Sequence, residues 1–254
     1  MSTKHPYLSP AKPRVLAHRG LAIAPGIDEN TLLAFEAAII AGANYIESDV
    51  QVTSDGVAVL FHDDDLARVA GLSKKIAEVT LAELSEITLS LGGAVPTLEQ
   101  ALTRFSSVNF NLDIKVWGAI APAAEVINRL GVHDRVLVSA FSERRRRSAL
   151  RLLNRPVASS AGSGLVLVLY FASTLKLTAL MRAISKSAHA VQVPARKGPI
   201  RFDSPAFISR AKQVGLEVHF WTINEVSEME RLIALGADGL VTDRSDLALK
   251  LLRK

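Results

Sequence analysis

The chain contains no cysteine. That excludes a disulfide frame, a thiolate nucleophile and a thiolate-held metal, so any bound metal must rest on oxygen or imidazole donors. Long apolar runs are also missing. The N-terminal stretch MSTKHPYLSPAKPR has no apolar core of the kind a secretory signal needs. The most hydrophobic segment, GLVLVLYFA at residues 164–172, is roughly half as long as a membrane-spanning helix. Lys176 and Arg182 follow it closely. It reads as a helix of a soluble or membrane-touching protein, and the chain as cytoplasmic. Aromatic residues make up only 6% and the formal charge is only +5. The stacking surface of a single-strand binder and the strong basic bias of a nucleic-acid protein are both absent. Nucleic acid is thereby excluded as a partner, and no protein partner is implied.

What is present is the composition of a globular protein: 254 residues, 49% hydrophobic and 22% charged, with no repeat and no low-complexity segment. Short β-rich runs alternate with longer helical patterns. Strands are expected at 15–18, 44–52, 57–62, 110–115, 136–140, 157–160, 190–193, 217–222 and 239–242. Helices are expected at 31–41, 97–105, 121–130, 143–153, 204–214 and 225–235, several closed by Gly42, Gly131, Asn154, Gly215 or Gly236. This alternation predicts βαβ units and a parallel sheet. Nine strands exceed the eight of a barrel, but the second and third are joined only by Thr53-Ser54-Asp55-Gly56. A parallel crossover needs a dozen or more residues, so that pair must be an antiparallel hairpin with one strand outside the barrel. The prediction is one domain over 1–254, an α/β TIM (β/α)8 barrel with a small hairpin-containing insertion after the second strand. The insertion covers about 53–95 and has one short helix at 81–87.

Working residues of such a barrel sit at the C-terminal ends of its strands. Polar residues cluster there: Ala17-His18-Arg19-Gly20, Glu47-Ser48-Asp49, Phe61-His62-Asp63, Asp113-Ile114-Lys115 and Thr242-Asp243. Glu47 and Asp49 are two apart on a strand and share a face. Two carboxylates in an apolar barrel repel each other and are poorly solvated. A hard divalent cation relieves both problems, with Asp113 as a third ligand. Inward Arg or Lys side chains would relieve them without a metal. His18 and His62 at strand ends can serve as general acid and base near neutral pH. His5, His133, His189 and His219 read instead as structural. Arg19 offers a planar fork for phosphate and Lys115 a point charge. The set as a whole suits phosphoryl chemistry.

Leu16-Ala17-His18-Arg19-Gly20, Glu29-Asn30-Thr31, Glu47-Ser48-Asp49-Val50 and the turn leading to Phe61-His62-Asp63 occur in order. They continue as Leu112-Asp113-Ile114-Lys115, Ser139-Ala140-Phe141-Ser142, Phe220-Trp221-Thr222-Ile223-Asn224 and 236–243. This ordered set, from about Arg14 to Asp243, resembles the glycerophosphodiester phosphodiesterase family. The resemblance implies a TIM barrel that hydrolyses glycerophosphodiesters to an alcohol and sn-glycerol 3-phosphate. It implies Mg²⁺ or Ca²⁺ on Glu47, Asp49 and Asp113, His18 and His62 as the acid–base pair, and Arg19 and Lys115 on phosphate. Trp221 would line the glycerol pocket, with Phe141 a weaker candidate, and Glu29 would support the first loop. One departure is Asp113, where the family usually has Glu. Another is the apolar 165–172 segment, which reads either as a barrel helix with a buried face or as a greasy rim that admits an acyl chain. The latter favours a lysophospholipase D-like activity on lysophospholipids. A non-catalytic barrel that binds phosphodiesters or membranes is a further alternative. The run Glu143-Arg144-Arg145-Arg146-Arg147, with Arg151 and Arg155, reads as a solvated helix face or as a contact for anionic headgroups.

Overall fold

In the computed structural model, residues 5–23 and 26–253 are described. The alternation seen in the sequence closes into a ring. Eight parallel strands, β1 (Arg14–His18), β2 (Tyr45–Val52), β4 (Asn109–Ile114), β5 (Val136–Ser139), β6 (Ala158–Ala161), β7 (Ala190–Val193), β10 (Glu217–Phe220) and β11 (Gly239–Thr242), form a barrel that closes by pairing β1 with both β2 and β11. The expected hairpin is present: β3 (Ala58–Leu60) runs antiparallel to β2, with Val50 opposite Leu60 and Val52 opposite Ala58, and lies outside the barrel. The insertion continues through helices α2 (Ala67–Ala70) and α3 (Leu81–Ser85), and Phe61, Leu66, Val69, Ile76, Val79 and Leu84 give it a small core of its own.

The outer helices are α1 (Leu32–Ile40), α4 (Leu98–Arg104), α5 (Ile120–Leu130), α6 (Glu143–Leu152), α7 (Ser163–Thr174), α8 (Thr178–Ile184), α9 (Pro205–Gln213), α10 (Val226–Ala234) and α11 (Ser245–Leu252). Thr31, Thr97, Ser142 and Ser204 cap four of them by accepting an N–H from the first turn, which satisfies an otherwise orphaned donor. Elements not expected from the sequence are α2 in the insertion, α8, α11 and a hairpin after β7 with two residues per strand, β8 (Arg196–Lys197) with β9 (Ile200–Arg201).

Two apolar shells fill the space between strands and helices, one around β2, β4 and β5 and one around β7 and β10. Inside the barrel, Leu16, Tyr45, Leu137, Ala158 and Val241 pack with Tyr7 and Leu8, which close its N-terminal end. Arg14 forks onto Glu217 at 3.0 Å and donates to the Leu8 carbonyl. Glu217 meets His219, His219 meets Gln192 and Gln192 accepts from Asn111, so a buried polar column climbs from that end toward the opposite mouth. His219 is therefore structural. His133 bonds Asn128, His189 accepts from the Ser159 N–H, and His5 accepts from the Tyr7 N–H.

Candidate active site

The mouth is built from strand ends. His18 closes β1 and lies in register with Glu47 of β2, while Asp49 of β2 lies in register with Asp113 of β4. Period-two geometry then turns Glu47, Asp49 and Asp113 to the same side, and all three are buried. The turn after β1 is tight. Arg19 and Asn30 both take left-handed φ, and Gly20 has φ +90°. A Cβ at Gly20 would fall 2.6 Å from the Ala34 backbone, so only glycine lets α1 approach β1 this closely. That approach places Asn30, whose amide donates to Asp49 at 3.0 Å and whose carbonyl accepts from Ser48.

Each candidate histidine has a carboxylate on Nδ1. His18 Nδ1 lies 2.6 Å from Asp243 Oδ1, and Asn224 donates to the other Asp243 oxygen at 2.7 Å. Burial is the largest single influence on His18 and opposes its charge, but the Asp243 bond together with the negative charges of Glu47 and Asp243 holds its pKa above the ordinary histidine value. Burial would raise Asp243, yet its bonds to His18 and Asn224 pull it down. His62 Nδ1 lies 2.6 Å from Asp63 Oδ1. Asp63 accepts from Arg68 at 2.6 Å, Arg68 continues to Glu29, and Glu29 accepts from Arg19 at 2.9 Å. Burial works against ionisation of Glu29, but Arg68 and Arg19 keep its pKa low. Glu29 thus braces both Arg19 and the insertion. Asp243, Asn224, Asp63, Arg68 and Asn30 were not assigned roles from the sequence. Asp243 left a signal, as a charge at the end of the last strand.

Cations face the buried carboxylates. Lys115 Nζ lies 3.2 Å from Asp49 and 3.4 Å from Asp113, and Arg19 Nε lies 3.3 Å from Asp49. Burial disfavours the Lys115 charge, but the two aspartates raise its pKa overall. Among the described residues, no three His, Asp or Glu side chains stand ready-made as a metal cage, and Lys115 bridges two of the three expected ligands. The arrangement is the one in which inward cations relieve the carboxylates. Glu47 is the exception: its Oε2 is buried with no hydrogen-bond partner among the described residues, and His18 Nε2 is 3.9 Å away. Burial, then Asp49, pushes the Glu47 pKa up to about 8. Burial likewise raises Asp113. An orphaned carboxylate oxygen beside two further carboxylates is a donor set suited to a hard divalent cation, which would compete with Lys115 Nζ for Asp49 and Asp113.

An aromatic wall completes the mouth. Trp221 follows β10 and meets Phe141 edge to face at 6.0 Å, and Lys115 Nζ lies 5.9 Å from the Phe141 ring. The arginine run of α6 divides rather than forming one solvated face. Arg146 is fully buried on Glu143, Ser159 and Ser187, Arg147 pairs with Glu143, and Arg144 is exposed. Arg145 lies close enough to Asp113 to act on its charge, and its Nε is buried without a hydrogen-bond partner among the described residues.

A (β/α)8 barrel with oriented histidines, carboxylates and cations at its C-terminal mouth has the framework of an enzyme that handles phosphate esters. The chain belongs to the glycerophosphoryl diester phosphodiesterase family, whose sequence profile matches residues 18–247, and it is a phosphoric diester hydrolase. A Mycobacterium tuberculosis protein named "Probable glycerophosphodiester phosphodiesterase 2" is 40% identical over 232 residues, 91% of this chain and 88% of that one. The fold matches a crystal structure of a glycerophosphodiester phosphodiesterase from Agrobacterium tumefaciens (TM-score 0.77, 22% identity, 96% of this chain and 100% of that one). It also matches an Oleispira antarctica phosphodiesterase in complex with the product sn-glycerol-3-phosphate (TM-score 0.76, 24% identity, 95% and 97% of the two chains).

Proposed function

We propose that this barrel hydrolyses glycerophosphodiesters to an alcohol and sn-glycerol 3-phosphate, with His18 and His62 as the acid–base pair. The observation that carries the reading is the pair of 2.6 Å histidine–carboxylate contacts, one from Asp243 and one from Asp63. A carboxylate on Nδ1 fixes the tautomer and leaves Nε2 to exchange a proton with substrate or water. One histidine takes a proton from the attacking oxygen, which is water or the substrate's neighbouring hydroxyl; on the second route the cyclic phosphate that forms is then opened by water to give sn-glycerol 3-phosphate. The other returns a proton to the departing alcohol.

Arg19 and Lys115 bind the phosphate oxygens, and Trp221, with Phe141 against it, lines the glycerol pocket. Glu29 supports Arg19 rather than touching substrate. Glu47, Asp49 and Asp113 would hold one divalent cation, Mg²⁺ or Ca²⁺. When bound, it would neutralise charge on the phosphoryl oxygens. The orphaned Glu47 oxygen supports that assignment.

The test is release of sn-glycerol 3-phosphate from glycerophosphocholine by the purified protein, in EDTA and after restoring Mg²⁺ or Ca²⁺. Activity lost in EDTA and regained with metal is the expected result. Activity unaffected by EDTA would remove the metal and leave the histidines and cations. A second reading, a lysophospholipase D-like activity, draws on the exposed apolar residues Leu167 and Val168 on α7, which starts at the mouth just after β6. Faster turnover of lysophosphatidylcholine than of glycerophosphocholine would favour it.

A further inference from the structure

Charge is unevenly distributed along this chain. Residues 144–202 contain twelve Arg and Lys and no Asp or Glu. The same stretch carries the largest set of exposed apolar side chains. Helix α7 packs on α8 and α9 and buries Leu165, Val166, Leu169 and Ala172. Its outer side is apolar as well: Leu167, Val168, Phe171 and Leu175 recur at helical spacing, with Phe171 56% and Leu175 68% exposed. Leu177 and Leu180 extend the exposed set onto α8. A water-facing helix would place polar residues at these positions, and an apolar strip of this kind marks an interaction surface.

The charges beside the strip indicate what covers it. Lys176, Arg182 and Lys186 belong to the same α7–α8 segment, are exposed, and pair with no carboxylate among the described residues. The β8–β9 hairpin abuts α7, the Arg201 N–H reaching the Tyr170 hydroxyl at 3.5 Å, and it presents exposed Lys197. A second copy of the chain would meet this face across a two-fold axis, setting the same cations opposite one another with no acid in the stretch to pair them. An anionic lipid bilayer instead offers phosphates to the cations and an apolar layer to Phe171 and Leu175. Among the described residues, no helix is long and apolar enough to cross a membrane, so the contact would be made from one side.

We propose that the α7–α8 face docks on anionic lipid bilayers. The arginine run of α6 is not its centre, because Arg146 and Arg147 are held by Glu143. Since α7 begins just beyond the end of β6, docking brings the barrel mouth close to the lipid surface. The proposal concerns binding alone and survives if the catalytic assignments fail.

The experiment is co-sedimentation of the full chain with phosphatidylglycerol vesicles and with phosphatidylcholine vesicles, at low and high salt. The protein should sediment with the anionic vesicles and not the neutral ones, and salt should weaken the binding. Phe171→Glu with Leu175→Glu should lower the bound fraction by roughly tenfold, and Lys176→Glu with Arg182→Glu should also lower it. Both double variants should keep the wild-type circular-dichroism spectrum and melting transition, which report that they fold. No binding to anionic vesicles, equal binding to both kinds, or binding untouched by either variant would overturn the proposal. So would a wild-type dimer in light scattering that Phe171→Glu with Leu175→Glu turns into a monomer.

Discussion

The two histidines of the mouth have the same short contact and very different supports. His18 stands on the first barrel strand, and its carboxylate comes from the end of the last, with β1 and β11 paired in register from Arg14 to Ala17. Asn224 grips that carboxylate through its amide, and its own carbonyl accepts the Asp243 N–H. His62 stands on the insertion. Its carboxylate is its chain neighbour Asp63, braced by Arg68, whose side chain is 50% exposed. One relay is set into the hydrogen-bonded wall of the barrel. The other hangs on an excursion with a small core of its own, tied to β2 through Gln51 and the Asp63 carbonyl. Equal hydrogen-bond lengths therefore do not mean equal resistance to perturbation. Water reaches both relays, Asp243 being 45% exposed at its side chain, but the second also leans on the ion pairs of a half-exposed arginine, which water and salt weaken.

Substitutions can break or sharpen that contrast. The largest effect is expected from His18→Ala and His62→Ala, each lowering kcat/KM on glycerophosphocholine by about a hundredfold or more without unfolding the chain. Near-wild-type turnover in either variant would remove that histidine from the chemistry.

Next comes Asp243→Asn, with a loss of about ten- to a hundredfold. Without the carboxylate, burial dominates the His18 pKa, so the limb of the pH–kcat/KM profile that belongs to His18 should move to lower pH. The effect on stability has a definite sign. His18 has a raised pKa in the folded state, so its stabilisation is complete below the unfolded value of about 6.5 and fades as pH rises through the folded value. Asp243→Asn should therefore cost more in thermal melts at pH 5 than at pH 9. A cost that does not vary with pH would show that the carboxylate acts without the charged imidazole.

A smaller loss, about tenfold, is expected from Asp63→Ala, because His62 keeps its place on the insertion through packing of its neighbour Phe61. The smallest comes from Arg68→Ala: less than tenfold in kcat/KM and about 0.5–1 kcal/mol in denaturant unfolding, shrinking with added salt. An Arg68→Ala loss as large as that of Asp243→Asn would mean the two relays are equally stiff.

Much of this architecture could be read from residue order. Eight barrel strands fell where β-rich runs stood, and the hairpin followed because four linking residues cannot carry a parallel crossover. The histidines, Glu47, Asp49 and Asp113 stood out as polar residues at strand ends, and all came to the mouth. What residue order does not reveal is mostly non-local or locally weak. The β8–β9 hairpin has two residues per strand and no apolar alternation. Arg146 looked like one more solvated charge, because the repeat of arginines hides that Glu143 one turn earlier draws it inside. Position along the chain suggests phosphate for Lys115, but only the fold brings its Nζ between Asp49 and Asp113. Asp243 stands out as a charge, yet its partner lies 225 residues away, beyond the reach of any pattern along the chain.

That separation has a consequence for the making and breaking of the protein. His18 leaves the ribosome among the first barrel residues and must wait for β11 before it meets Asp243, and the same step zips the barrel shut. A nascent or truncated chain lacking the last strand has neither a closed ring nor an oriented His18. Closure of the ring and orientation of His18 thus arrive together as one event in folding.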